Sequence, residues 1–373
     1  MKKNVWLLGV AVTALTSCTQ SEVVDIPESR LIGFETQVEK PTRATEDILD
    51  GGTGFEEFYV YGVKGVGGIK DITTGVWSNY TNVTSCLDGV QVTGGKGNWS
   101  YENHASWIAD RTFRFAAYAN GKGDGSSEAA KLSNVSFVTN EAKTVGTQTD
   151  YVWGLNIIGY TETGKDLIVA VPDQKVVGDI TTAPPSVGLT FKHILSKVII
   201  QFRTTNTNAN LHMQISDGDN DANGISFTAL SKGDCKVRYT GVVDNTVIGA
   251  VWENQAIDKE YTFFAGDEVW NSGNIQEEFY VIPQTNTGKS ISKIVVDTKN
   301  AAGEVTASVI YEDVSLTITG HTDWKPGYVY RYIADITPGQ HYIHFTTSVN
   351  TWVDDDDRNQ GLGTGTQISG SGD

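Results

Sequence analysis

Residues 31–40 read Leu-Ile-Gly-Phe-Glu-Thr-Gln-Val-Glu-Lys. Ile32, Phe34, Thr36 and Val38 recur at period two on one face, and Gly33, Glu35, Gln37 and Glu39 occupy the other. That alternation predicts a half-buried β-strand. Pro41 breaks it, Thr42-Arg43-Ala44-Thr45 follows, and an acidic, Gly-rich loop runs to Gly54. The same kind of run recurs at 58–64, 113–119, 166–171, 188–204, 261–265, 278–283, 291–298, 305–318, 328–336 and 341–353. These runs are rich in Val, Ile, Tyr, Phe and Thr, and Gly, Asn and Asp clusters separate them, as expected of an all-β chain. Forty Gly against eight Pro fits many turns. No helix longer than two turns is predicted, and 128–132 is the one short candidate.

The chain has 373 residues, room for two domains with their own cores. Pro184-Pro185 is the best-placed break. It divides the body into an N-terminal β-sandwich over 44–185 and a C-terminal β-sandwich over 186–353. Residues 354–373, DDDDRNQGLGTGTQISGSGD, have almost no apolar content and read as a flexible acidic, Gly-rich tail. The net charge of −17 argues against nucleic acid or anionic lipid as the main partner, because both need clustered Lys and Arg.

The first residues are a targeting segment. Lys2 and Lys3 precede an apolar run from Val5 to Leu15 that is too short for a permanent membrane span. Leu15-Thr16-Ser17-Cys18 closes it and resembles a bacterial lipoprotein box. Residues 1–17 then read as a signal peptide, and the Cys18 thiol as the site of a lipid anchor to the outer membrane; the alternative is an ordinary secretory signal with a chance Cys. Beyond Cys18, Cys86 and Cys235 are 149 positions apart; two buried free thiols are expected, with a disulfide as the alternative.

Catalytic and metal motifs are absent. There is no GxSxG and no HExxH, and the GKS at Gly288 has Pro283 where a P-loop needs its first Gly. His193, between Phe191 and Ile194, reads as a satisfied core or edge histidine. Asp217, Asp219, Asp221 and Asn223 gather hard oxygens, but Ala222 and Thr228 stand where a calcium loop needs Gly and Glu, so a solvated turn is expected. Trp107, Trp153, Trp324 and Trp352 lie in or beside strand patterns and are expected in cores. The chain reads as a non-enzyme with no catalytic residue, metal or cofactor.

Several segments in order resemble the fimbrillin family of Bacteroidales, lipoprotein-derived subunits of type V pili. They are the box at Cys18, the strand through Phe34 and Val38 with Thr42-Arg43-Ala44-Thr45 after it, and Trp99…Trp107…Phe113-Arg-Phe115-Ala-Ala-Tyr118. Then come Asp166-Leu-Ile-Val-Ala170, Leu189-Thr-Phe191-Lys-His193-Ile-Leu195-Ser-Lys197-Val198 and Tyr280-Val-Ile-Pro283-Gln284. Trp324-Lys-Pro-Gly327-Tyr-Val-Tyr330 and Ile343-His-Phe345…Val349…Trp352 complete the set. Ile108 after Trp107, in place of Pro, and Asn120 after Ala119 depart from the pattern. The resemblance implies two transthyretin-like sandwiches in tandem. It also implies a route to the surface: an Arg-specific protease trims the lipidated precursor, the first strand leaves, and another subunit's strand fills the groove.

The residues fit that route. Arg43 is the only Lys or Arg between Lys40 and Lys64, so the Arg43–Ala44 bond is the natural cut and 18–43 the removable propeptide. Ile32, Phe34 and Val38 would each contribute about 1.5–3 kcal/mol when buried, so an emptied groove favours refilling. The plainer alternative is a permanent first strand with Arg43 an ordinary loop residue. For the donor, 341–353 offers Ile343, Phe345 and Val349 on one face, and the tail beyond has only Leu362 and Ile368. The competing possibility is that 341–353 is the last core strand of the second sandwich. The function expected is a fimbrial subunit that joins related pilins by strand addition and supports adhesion. The alternative is a permanently anchored surface lipoprotein, or a tip adhesin for a host or glycan ligand.

Overall fold

The computed structural model describes residues 30–38, 56–95, 98–120, 131–145, 148–161, 164–180, 184–204, 208, 210–218, 224–239, 249–263, 268–270, 273–337, 343, 345–351 and 367–369. Among these the chain is all-β. The first strands are β1 Phe34–Val38, β2 Glu57–Gly67, β3 Tyr80–Gly95, β4 Asn98–Ser100 and β5 Arg111–Asn120. There follow β6 Val135–Val145, β7 Gln148–Thr161, β8 Leu167–Ala170, β9 Lys175–Val177 and β10 Val187–His193. The middle of the chain forms β11 Ser196–Thr204, β12 His212–Ser216, β13 Ile225–Thr228, β14 Lys232–Arg238 and β15 Gly249–Ala256. Next are β16 Glu260–Phe263, β17 Glu268–Trp270, β18 Gly273–Val281, β19 Gln284–Thr285 and β20 Ser290–Lys299. The last are β21 Val305–Ser315, β22 Asp323–Trp324, β23 Tyr328–Ile336, β24 Phe345–Thr351 and β25 Gln367–Ser369.

Alternation along these strands builds two sandwiches. An eight-stranded sheet runs β1-β10-β8-β5-β2-β3-β4, with β9 beside β5, and a four-stranded sheet runs β15-β14-β7-β6. The eight-stranded sheet is buried on both faces. Phe58 and Val60 on β2, and Phe113, Phe115 and Ala117 on β5, join one core with Ile32, Phe34 and Trp107. Their neighbours Tyr59, Tyr61, Ala116 and Tyr118 face the opposite way and pack with Trp153, Leu155, Cys235 and Val237 of the four-stranded sheet. Strand period two sends successive side chains to opposite faces, so one sheet serves two cores. The hairpin β14–β15 hydrogen-bonds to β7, so residues 232–256 complete a sheet begun by residues 135–161. The second sandwich packs β18-β11-β23-β24-β25 against the sheet built around β20. Val198, Phe202, Phe227, Phe279, Ile294, Trp324 and Tyr332 lie in its core.

The run expected at 188–204 is two strands. Ile194 and Leu195 interrupt it: β10 ends in the eight-stranded sheet and β11 begins in the five-stranded one. Both residues are buried in the core between the four- and eight-stranded sheets. The polar strands β3, β6, β7 and β12–β15 were not predicted, because their Thr, Asn, Asp and Gly residues hide the alternation. Residues 131 and 132, the described part of the expected short helix, are not helical. Trp107, Trp153 and Trp324 are core residues; Trp352 lies outside the described residues.

Phe115 is fully buried, with Trp107 at 6.1 Å and Phe34 at 6.3 Å between ring centroids. Phe115→Ala should destabilise the protein by about 3–5 kcal/mol in chemical denaturation, the usual cost of an aromatic-sized core cavity.

Candidate functional site at the first strand

β1 lies at an edge of the eight-stranded sheet and pairs in parallel with β10, Phe34 opposite Val187 and Val38 opposite Phe191. Before it, the chain adds a short antiparallel clamp. Ile32 N–H donates to the Ala105 carbonyl at 2.9 Å, and Trp107 N–H donates to the Arg30 carbonyl at 2.9 Å. Gly33 lies beside Ser186 and Val187. Its carbonyl accepts from Val187 N–H at 2.8 Å, and a Cβ there would meet Ser186 Oγ at 3.1 Å.

Ile32 is 1% exposed and Phe34 4%. The Phe34 ring meets Phe58 edge-on at 5.8 Å and Tyr101 at 5.6 Å, so it fills a pocket of aromatic side chains. The Tyr101 hydroxyl donates to the Ile32 carbonyl at 2.8 Å and accepts from Ala105 N–H at 3.3 Å. Burial pushes that hydroxyl up to about 12. Thr36 Oγ1 is buried without a partner among the described residues. The side chain of Val38 lies outside the description, as do Cys18, Arg43 and Ala44. Sequence reasoning picked out Ile32 and Phe34 but missed Tyr101 and the 105–107 clamp, which no local periodicity marks.

At the far end of the chain, Phe345 is buried in the second core, and Ile343 and Val349 pack against it. β24 pairs along its length with β23, Tyr328 opposite Thr351 and Ala334 opposite Phe345. Its other edge carries β25, with Ile368 opposite Thr347. Of the tail read as flexible, residues 367–369 thus form a paired strand, and the rest lies outside the described residues.

No group of three His, Cys, Asp or Glu side chains among the described residues could hold a metal, and 219–223 lie outside the description. His193 is buried, and its Nδ1 lies 2.6 Å from the Asp166 carboxylate. Cys86 and Cys235 are free thiols, pushed up to about 11 and about 12 by burial and so poorly nucleophilic.

The profile of the Fimbrillin-like family matches residues 42–352, and the chain belongs to this family. Among solved structures it is similar to a fimbrial protein from Bacteroides vulgatus, with 15% identity, a TM-score of 0.43, and coverage of 87% of this chain and 100% of that one. It is also similar to the fimbrial anchor protein Mfa2 from Porphyromonas gingivalis, with 12% identity, a TM-score of 0.29, and coverage of 86% and 96%. No curated protein matches. Family membership makes the chain a fimbrial or adhesion subunit of the cell surface, in a family of structural rather than enzymatic proteins.

Tyr101→Phe should lose about 1 kcal/mol of stability at neutral pH, because a buried carbonyl loses its donor. The sign of the pH dependence follows from the raised hydroxyl. Its contribution is complete below pH 10 and is lost as pH rises toward about 12. Denaturation of parent and variant across that range should show the gap closing.

Proposed function

We propose that this chain is a pilus subunit that is exported as a lipoprotein, trimmed at Arg43 and polymerised when another subunit's strand replaces β1. One observation carries the reading: an edge strand held along a single partner fills an aromatic pocket. Its hydrogen bonds are those of any added strand, so a foreign segment of matching alternation can replace them. Its departure would expose Phe58, Tyr101 and Phe115 together with the β10 edge, a surface unstable in water. The lipobox ending at Cys18 supports export to the outer membrane, and Arg43 supplies a single basic cut site after the strand.

For the donor we propose the segment around β24, with Ile343, Phe345 and Val349 as the side chains that enter the groove. Its alternation matches that of Ile32, Phe34 and Val38. To act so, it must leave β23 and give up its place in the second core, and pairing in the neighbour's groove would offset that loss. The rival reading, a permanently anchored lipoprotein or tip adhesin, requires β1 to stay.

Limited trypsin digestion of the full chain should release the 18–43 segment and yield ladders that resist denaturant. Arg43→Ala should stay monomeric under the same treatment. Ladders from Arg43→Ala would place the cut elsewhere, and trimmed parent that stays monomeric would favour the anchored reading. A chain ending after Val353, which keeps β24 and removes β25, should still polymerise. Loss of polymers with the monomer fold intact would move the donor role to the tail.

A further inference from the structure

More than half of the large aliphatic side chains exposed among the described residues lie toward one end of the first sandwich. Val66, Ile69, Ile72, Val76, Ile108 and Val176 are six of the eleven, and Ile72 is 101% exposed. The strand registers locate them. Gly65, next to Val66, lies opposite Thr112 at the start of β5, and Thr112 lies opposite Val176. Ile69, Ile72 and Val76 ride on the excursion between β2 and β3. Ile108 comes two residues before Asp110, whose N–H donates to the Gly178 carbonyl at 3.0 Å. The opposite end of β5 faces the second sandwich, since Ala119 lies opposite Ile168, and Ile168 opposite His193.

The excursion is built to hold its shape. The Asp71 carboxylate accepts from Thr73 and Thr74 N–H at 2.8 Å each, and Asp71 N–H donates to the Val76 carbonyl at 2.9 Å. Lys70 Nζ lies 2.5 Å from Asp150 of β7, and Trp77 Nε1 donates to the same carboxylate at 3.0 Å. The buried guanidinium of Arg114 donates to the Gly68 carbonyl at 3.0 Å and lies over the rings of Tyr80 and Trp153. A rigid apolar knob loses little conformational freedom when it is covered, and an exposed apolar cluster of this kind marks an interaction surface.

We infer that this end is the seat of the neighbouring subunit, a second copy of this chain, in the polymer; the inference rests on the strand-addition reading. β23 runs parallel to β11 from the joint, where Gly327 N–H donates to the Leu195 carbonyl at 2.9 Å, to Ile336 opposite Thr204 at the far end. A segment that leaves β23 for another subunit therefore departs from the far end of the second sandwich. β1 begins at Phe34 opposite Val187, at the end of the first sandwich that carries the knob. A filler that copies the direction of β1 enters there. The far end of one copy and the knob of the next must then meet, and the aliphatic side chains are covered where the strand crosses over.

The test is assembly by the full chain carrying Ile72→Asp and Val76→Asp. Both side chains are exposed, so the monomer should melt within a few degrees of the parent. After trypsin trimming the variant should form at least tenfold less polymer than the parent. A labelled peptide of residues 31–40 should rebind the stripped variant as it rebinds the stripped parent. Parent-like polymerisation of the variant would overturn the inference, and loss of its binding to phosphatidylethanolamine–phosphatidylglycerol vesicles would then assign this end to a lipid surface. Loss of peptide rebinding would also overturn it, because the damage would lie in the groove. A trimmed parent that forms no polymer, while its variant still rebinds peptide, would fail the strand-addition reading and take the inference with it.

Discussion

Everything in this molecule turns on two consecutive buried residues that belong to no strand. Ile194 N–H donates to the Leu167 carbonyl at 3.2 Å, and the Ile194 carbonyl accepts from Trp252 Nε1 at 3.1 Å. The Leu195 carbonyl accepts from Gly327 N–H at 2.9 Å. A buried backbone that leaves a sheet must find other partners, and here β8, β15 and the turn before β23 supply them. The handover carries the chain from one sandwich to the other with no exposed linker. Ser196 Oγ, donating to the Lys325 carbonyl at 2.8 Å, fixes the first residue of β11 in the same way.

The eight-stranded sheet inherits its character from that joint. Because it is covered on both faces, its central strands β2 and β5 are largely apolar and aromatic, and one fully buried charge among them has to be accommodated. Arg114 is that charge. Among the described residues it has no carboxylate partner at hydrogen-bond distance; oxygens of Gln174, Thr139, Asn140 and Gly68 accept its hydrogen bonds instead. Burial lowers it to about 10. The aromatic faces of Tyr80 at 4.3 Å and Trp153 at 4.7 Å offset part of the desolvation. The same side chain thereby ties the β2–β3 excursion to the body.

β1 joins strong burial to weak attachment. Ile32 and Phe34 are as deeply packed as Phe58 and Tyr59 of β2, yet among the described residues the strand hydrogen-bonds along one partner and through a two-bond clamp. Apolar burial is indifferent to which chain supplies the side chain, and backbone pairing is indifferent to sequence. A site with those two properties is suited to exchange, whereas β5, paired on both sides, is not. β24 in the second sandwich has a buried Phe345 too, but β23 and β25 flank it.

Much of this could be read in the residues. Alternation at Ile32 and Phe34, the aromatic runs of β2 and β5, and the Tyr328–Ile336 strand depend on local period two, which a sequence displays directly. The all-β class and the burial of Trp107, Trp153 and Trp324 followed from the same pattern. What the chain alone did not reveal depends on contacts between distant segments. The division of 188–204 at Ile194 depends on Trp252 and Gly327. The addition of 232–256 to β7 depends on a register that no local rule encodes. Tyr101 matters only because folding carries its hydroxyl to the Ile32 carbonyl, 69 positions away in sequence. Local periodicity settles which residues are buried; the choice of partner is made by long-range pairing, which only the folded chain brings about.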